Sequence, residues 1–254
     1  MKAVLFSGGY DSTYLLQKLA KEEKEIIVFT VETDIQAKAQ IERENNCRKI
    51  ILDYLKAKYY NCQFHINKLK VSTEEINLVN TSYLNQPLFW LPIMSLLTYE
   101  NIDLELSYIT GDQTLAHKDD IINILNSINN FKPNIKINVE FPLIYLHKYE
   151  ILINLYKDDK FLFENCTSCE STELNDDKGF CGNCVPCDNL KSAIIHIITN
   201  KYDYIDNDTK LYFKDLLRDK FKLEINELIH DEVTLDDTKK VEDEWCLIIV
   251  IMEC

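Results

Sequence analysis

Six residues near the start of the chain, Ser7-Gly8-Gly9-Tyr10-Asp11-Ser12, have the composition of an anion-binding turn. The glycines permit positive φ and close approach of a ligand to the backbone. A helix starting directly after them would aim its first amides at one point, where the helix dipole favours negative charge. The Ser7 and Ser12 hydroxyls can add hydrogen bonds. Asp11 is itself an anion, so it would hold Mg2+ or brace the turn rather than bind phosphate. The string is not a Walker loop, because no Gly-Lys-Ser/Thr follows. On these residues alone, a plain strand–turn–helix joint capped by Asp11 or Ser12 explains the string as well as an anion site does.

A second set of reactive side chains lies near the other end. Cys181, Cys184 and Cys187 form C-x2-C-x2-C, and Cys166 and Cys169 stand upstream across a polar loop. Zinc takes four soft ligands in a tetrahedron, and C-x2-C turns supply thiolates in pairs. The pattern predicts a closed four-thiolate site, which would be structural because no coordination position stays open. An iron–sulfur cluster is the alternative for an all-cysteine site, and either Cys166 or Cys169 could be the fourth ligand. Cys47, Cys62, Cys246 and Cys254 belong to no motif and read as core or surface thiols. Five scattered histidines read as structural, although His117 and His147 each follow a predicted strand.

The elements that must position these groups alternate in type. Strands are expected at Lys2 to Phe6, Glu25 to Val31, Gln63 to Val71, Leu104 to Thr110 and Ile135 to Phe141. Helices are expected at Ser12 to Lys21, Ile35 to Tyr60, Leu88 to Tyr99, Asp119 to Asn129, Leu146 to Tyr156, Cys187 to Thr199 and Leu211 to Leu228. This alternation predicts an α/β fold, a mostly parallel sheet with helices on both faces. Ligands in such sheets bind beyond the carboxyl ends of the strands. Ser7 to Ser12, Thr30 to Asp34 and Gly111-Asp112 all fall there. The composition shifts after Lys157, so residues 1–157 are expected to form the α/β domain and 158–254 a metal-binding, helical C-terminal region. Trp245 to Met252 reads as a strand or a buried helix. As a strand it could pair with the sheet edge or with a second subunit, giving a homodimer.

Bulk properties narrow the partners. Hydrophobic residues make up 46% of the chain and charged residues 28%, which fits a folded domain. The formal net charge of −14 argues against a general grip on nucleic acid and favours a small-molecule substrate. The first residues lack the pattern of a secretory signal, and the longest apolar run, Trp245 to Met252, falls far short of a membrane span. A cytoplasmic location is therefore expected, where cysteines serve metals more often than disulfides.

The string Ser7-Gly8-Gly9-Tyr10-Asp11-Ser12 resembles the Ser-Gly-Gly-x-Asp-Ser signature of the PP-loop ATP pyrophosphatases. Those enzymes bind the pyrophosphate of ATP there and transfer AMP to a substrate oxygen. Together with Thr167-Ser168-Cys169 and the Cys181-Gly182-Asn183-Cys184-Val185-Pro186-Cys187 run, the chain resembles the 7-cyano-7-deazaguanine synthases of queuosine biosynthesis. Pro142-Leu143 followed by Lys148, Glu150 and Ile151 is similar to that family's stretch before its zinc loop. The resemblance covers roughly residues 1 to 195. It implies an adenine nucleotide alpha hydrolase-like fold and the ligands ATP, Mg2+ and Zn2+. It also implies Cys169, Cys181, Cys184 and Cys187 as the zinc set. Phe6 and Thr13 would flank the loop at the nucleotide, with Thr30 and Gly111 at neighbouring strand ends, and Asp11 and Lys148 would be catalytic. The implied reaction adenylates 7-carboxy-7-deazaguanine, converts it to an amide with ammonia, then activates and dehydrates the amide to a nitrile.

The acceptor side departs from the family. Thr30-Val31-Glu32-Thr33-Asp34 stands in place of a Tyr-Gly-Gln segment, and Leu91-Pro92-Ile93-Met94 in place of Pro-x-Arg-Asn. No Asp-Cys-Arg follows the fourth strand; the chain has Gly111-Asp112-Gln113 and Asp119-Asp120 there. These changes favour a paralogue that delivers the activated acid to another nucleophile, as in a specialised or anti-phage pathway. A non-catalytic nucleotide-binding protein of the same fold is the third class, and the acidic charge speaks against tRNA-modifying PP-loop enzymes.

Overall fold

The structure is a computed structural model that describes residues 1–33, 38–71, 91, 92, 94, 95, 98–170, 180–200, 202 and 204–221. Five strands, β1 (Lys2–Leu5), β2 (Glu25–Thr33), β3 (Gln63–Val71), β4 (Ile102–Glu105) and β5 (Ile137–Glu140), form one all-parallel sheet in the order β3-β2-β1-β4-β5. The chain steps outward from β1 to β3, then crosses back to place β4 on the other side of β1. The order therefore reverses between β1 and β4. At such a reversal the loops leaving adjacent strands part, and a crevice opens at their carboxyl ends.

Seven α-helices lie among the described residues, α1 (Tyr10–Glu22), α2 (Lys38–Lys58), α3 (Lys118–Phe131), α4 (Lys148–Asp158), α5 (Lys160–Asn165), α6 (Val185–Thr199) and α7 (Asn207–Phe221), and a short 3-10 helix spans Gln113–His117. Residues 91, 92, 94 and 95 are also helical. Alternation along β1 divides the interior in two. Val4 and Phe6 enter one core with Leu15 and Leu16 of α1, Ile51 of α2, Ile151 of α4, Phe163 of α5, Leu190 of α6 and Leu217 of α7. Ala3 enters the other, with Ile27 and Phe29 of β2, Met94, Leu104 of β4, and Ile121 and Leu125 of α3. Residues on both sides of position 157 thus share the first core, which ties the cysteine-bearing region to α1.

Local signals place the helix ends. The His147 amide donates to the Glu150 carboxylate at 2.7 Å in a capping box that starts α4. Pro186 sits in the first turn of α6, where its missing N–H costs nothing. The Asp159 side chain accepts from Leu162 N–H and starts α5, a helix that apolar periodicity alone is too short to reveal.

Several boundaries differ from the sequence expectation. The fourth strand runs from Ile102 to Glu105 rather than from Leu104 to Thr110. Its ladder partners run out, since Glu105 pairs with Val4 and Glu140 and both neighbouring strands then end. Leu106 and Ile109 stay buried outside the ladder, so apolar burial continues past the end of the strand. Helix α1 starts at Tyr10, with Gly9 as N-cap and no side-chain cap, so Asp11 and Ser12 lie in its first turn rather than capping it. The helix expected over Leu88 to Tyr99 has ended by Thr98, and the one expected from Leu211 begins at Asn207. The remainder of that last helix and Trp245 to Met252 lie outside the described residues. No helix among the described residues is long and apolar enough to cross a membrane.

Candidate nucleotide and metal sites

The loop after β1 is held by its own hydroxyls. The Ser7 amide donates to Ser12 Oγ at 3.3 Å, the Gly9 amide to Ser7 Oγ at 3.2 Å, and the two hydroxyls lie 3.0 Å apart. Gly8 has φ +87°, and a Cβ there would stand 3.2 Å from Cγ of Arg48. The glycine therefore meets two demands at once: a left-handed backbone and contact with α2. Because no side chain caps α1, its first amides face the loop with the positive end of the helix dipole behind them.

Lys148, the first residue of α4, reaches this junction from the same face of the sheet, where α4 packs beside α1. Its Nζ lies 2.7 and 2.9 Å from the two Asp11 carboxylate oxygens and 5.5 Å from the centre of the buried Tyr10 ring. The loop and this ion pair line a cavity of about 800 Å3. The segment from Leu106 to Thr114 after β4 forms a second wall. In it Gly111 turns with φ +86° and Asp112 accepts from the Thr114 amide at 2.8 Å. Asn189, Ser192 and Ala193 of α6 also line the cavity.

A third wall comes from α2, through Gln40, Glu44 and Arg48. Arg48 is buried, donates to Asn45 Oδ1 at 2.9 Å and lies 3.4 Å from Glu44. Burial lowers its affinity for a proton, and the nearby Glu44 and Glu32 carboxylates oppose that effect. Nothing in the sequence pattern marks Arg48, because it stands in a highly charged helix; its value comes from the close packing of α2 on Gly8.

Most residues expected at the nucleotide come together. Phe6, Ser7, Gly9, Tyr10, Asp11, Ser12, Gly111 and Lys148 line the cavity. Gly8 and Thr13 are not in its wall; Gly8 faces α2, and Thr13 is fully buried. Thr30 is also buried behind the wall, and Val31 is the residue of β2 that lines it. Adjacent strand residues face opposite sides, so one position decides which of them meets the ligand. Of the two histidines singled out, His147 lines the cavity and caps α4, while His117 pairs with Asp120 at 3.3 Å outside it.

The cysteines form a separate cluster beside this cavity. The sulfurs of Cys169, Cys181, Cys184 and Cys187 all lie within 4.8 Å of one another. Cys184 stands 3.9 Å from Cys169, and Cys181 4.0 Å from Cys187. Four thiolates around one zinc, at about 2.3 Å each, would be spaced about 3.8 Å apart, so the donor set fits a single tetrahedral ion. Cys166 does not join them; it is buried, with its thiol on the Leu162 carbonyl at 3.2 Å. Burial disfavours ionisation at Cys181, but amide donors from Asn183 and Cys184 outweigh it and bring this thiol down to about 6. Burial holds Cys187 well above the usual thiol range. The cluster is fastened to α2 and to the loop after β1 at one point each. Arg43 donates to the Cys169 carbonyl at 2.8 Å, and the Thr167 amide donates to the Gly8 carbonyl at 3.1 Å.

No family model matches the chain, and no curated protein matches it. Among solved structures it is similar to the NMN synthetase from Francisella tularensis, with 10% sequence identity and a TM-score of 0.34 over 88% of this chain and 87% of that one.

Proposed function

We propose that this chain is an ATP-dependent adenylating enzyme of the PP-loop type, acting on a carboxylate. The observation that carries the reading is the junction at the crevice: an uncapped helix N-terminus, a glycine turn and Lys148 converge on one wall of a cavity of about 800 Å3. That arrangement suits a polyphosphate, which needs amide donors and a cation around its oxygens.

In the proposed reaction a carboxylate oxygen of the substrate attacks the α-phosphorus of ATP. The bond to the β-phosphate oxygen breaks, pyrophosphate leaves, and an acyl adenylate remains. Ammonia or an amine then attacks the acyl carbon, AMP departs, and the nitrogen loses a proton. For a nitrile, the amide oxygen attacks a second ATP in the same way, and loss of AMP and of both protons on the nitrogen completes the dehydration. The Ser7 to Ser12 loop holds the departing pyrophosphate. Lys148 stabilises the charge that develops on it, moving from Asp11 toward the phosphates. Asp11 and the nucleotide's own phosphates are the oxygen ligands that Mg2+ would take. Cys169, Cys181, Cys184 and Cys187 would hold Zn2+, which with four thiolates supplies structure rather than chemistry.

The resemblance to 7-cyano-7-deazaguanine synthases makes 7-carboxy-7-deazaguanine the first acid to test. The departures around Thr30 to Asp34 and after β4 favour a second reading, in which the same activated acid passes to a different amine. Mass spectrometry of reactions with ATP, ammonia and 7-carboxy-7-deazaguanine separates these. Pyrophosphate with nitrile supports the first reading, and ATP consumption only when another amine is supplied supports the second. No pyrophosphate with any acid would overturn the adenylation reading.

A further inference from the structure

Next to the loop runs a segment that the reaction above leaves unused. Thr167 and Ser168 lie between the cysteine cluster and Gly8, and both line the cavity together with Ser7, Gly9 and Asp11. The Thr167 amide already binds the Gly8 carbonyl, and a Cβ on Gly9 would come within 3.5 Å of the Thr167 carbonyl oxygen. The segment is thus pressed along the whole glycine turn. Yet Thr167 Oγ1 and Ser168 Oγ are both buried without a hydrogen-bond partner among the described residues, and Thr167 as a whole is only 7% exposed. Two unmade hydroxyl hydrogen bonds side by side are costly in a folded protein and call for a missing partner.

We propose that the Thr167 and Ser168 hydroxyls are ligands of the anion held by the loop, donating to oxygens of the pyrophosphate moiety of the nucleotide. This inference rests on the ATP reading above. A pyrophosphate group has acceptors on every side, and the loop and α1 satisfy only one of them. The 167–168 segment, which lines the same cavity, supplies further donors. Its position is fixed at both ends: by the Gly8 contact, and by Cys169, whose sulfur accepts from the Cys181 amide at 3.3 Å within the thiolate cluster. The cysteine cluster then has a defined task, to hold two hydroxyls against the phosphate loop.

Calorimetric titration of the full chain with ATP, and separately with inorganic pyrophosphate, tests this. Thr167→Val and Ser168→Ala are each expected to weaken binding of both probes about ten-fold, the size of one hydrogen bond to a charged group. Thr167→Ser keeps the hydroxyl and should bind like wild type. The ligand-free Thr167→Val protein should melt at or above the wild-type temperature, because a methyl replaces an unpartnered hydroxyl. If Thr167→Val does not fold, Ser168→Ala decides alone. If wild type binds ATP and the hydroxyl-free variants bind it equally well, the inference is wrong and the ATP reading stands. If wild type binds neither probe, the ATP reading fails and takes the inference with it.

Discussion

Replacing Lys148 by methionine separates the catalytic part of the proposal from its structural part. Lys148 and Asp11 meet at 2.7 Å, with side chains 18% and 27% exposed. At an effective dielectric constant of about 20, a unit charge pair 4 Å apart attracts by about 4 kcal/mol. Desolvation and lost side-chain entropy offset most of this, so the net loss of stability should be about 1 kcal/mol. For a protein of this size that lowers the melting temperature by about 2–4 °C. The carboxylate left behind is still accessible to water, so no stranded charge adds to the cost. The effect on turnover should be much larger. Removing a preorganised charge or donor from a developing anion costs about 10²–10³-fold in rate. The assay is pyrophosphate release at saturating ATP with the acid that supports turnover, run beside a melting curve. A variant that melts within a few degrees of wild type yet turns over at least about 100-fold more slowly supports the role of Lys148. A folded variant with turnover within about three-fold of wild type would refute it, since so small a change is under 1 kcal/mol of transition-state stabilisation.

Three further outcomes follow from the geometry. Metal analysis of the purified protein should give about one zinc per chain, and Cys184→Ala should lose it and lower the melting temperature; normal metal-free folding would remove the structural role. Gly8→Ala should cost about 1–2 kcal/mol in urea unfolding from the left-handed backbone alone, with more from the Arg48 contact, and a neutral result would mean that the turn is not held at φ +87°. Glu32 is buried; desolvation raises its pKa, but Lys68 at 2.5 Å, Asn45 and Arg48 outweigh that and leave it below the usual carboxylate value. A folded-state pKa below the unfolded one stabilises above the unfolded value, near 4.3, and that stability fades as pH falls through the folded value. Glu32→Gln should therefore be less stable than wild type at pH 7, with the gap closing below pH ~4; a gap independent of pH would show that the ion pair contributes nothing.

What the sequence reveals and what it conceals divide along contact range. The loop from Ser7 to Ser12 and the run from Cys181 to Cys187 are legible because each is a local string whose residues meet within a few positions. The strands are legible because Val4 and Phe6 alternate with Ala3 and Leu5 between two cores. The strand end at Glu105 is hidden, because it is set by where β1 and β5 stop, not by residues 106–110. The same holds for the walls of the cavity. Arg48 matters only because α2 packs against a glycine 40 positions away in sequence, and Thr167 only because its amide finds the Gly8 carbonyl across 159 positions. Neither residue type is rare, and neither spacing repeats. The Ser7 to Ser12 string allowed a plain capped joint as readily as an anion site. The absence of a side-chain cap on α1, and the arrival of Lys148, α2 and the Thr167 segment around it, weigh against the plain joint. A turn serving only to join β1 to α1 would have no use for a buried arginine, a lysine from α4 and two hydroxyls without partners among the described residues gathered around it.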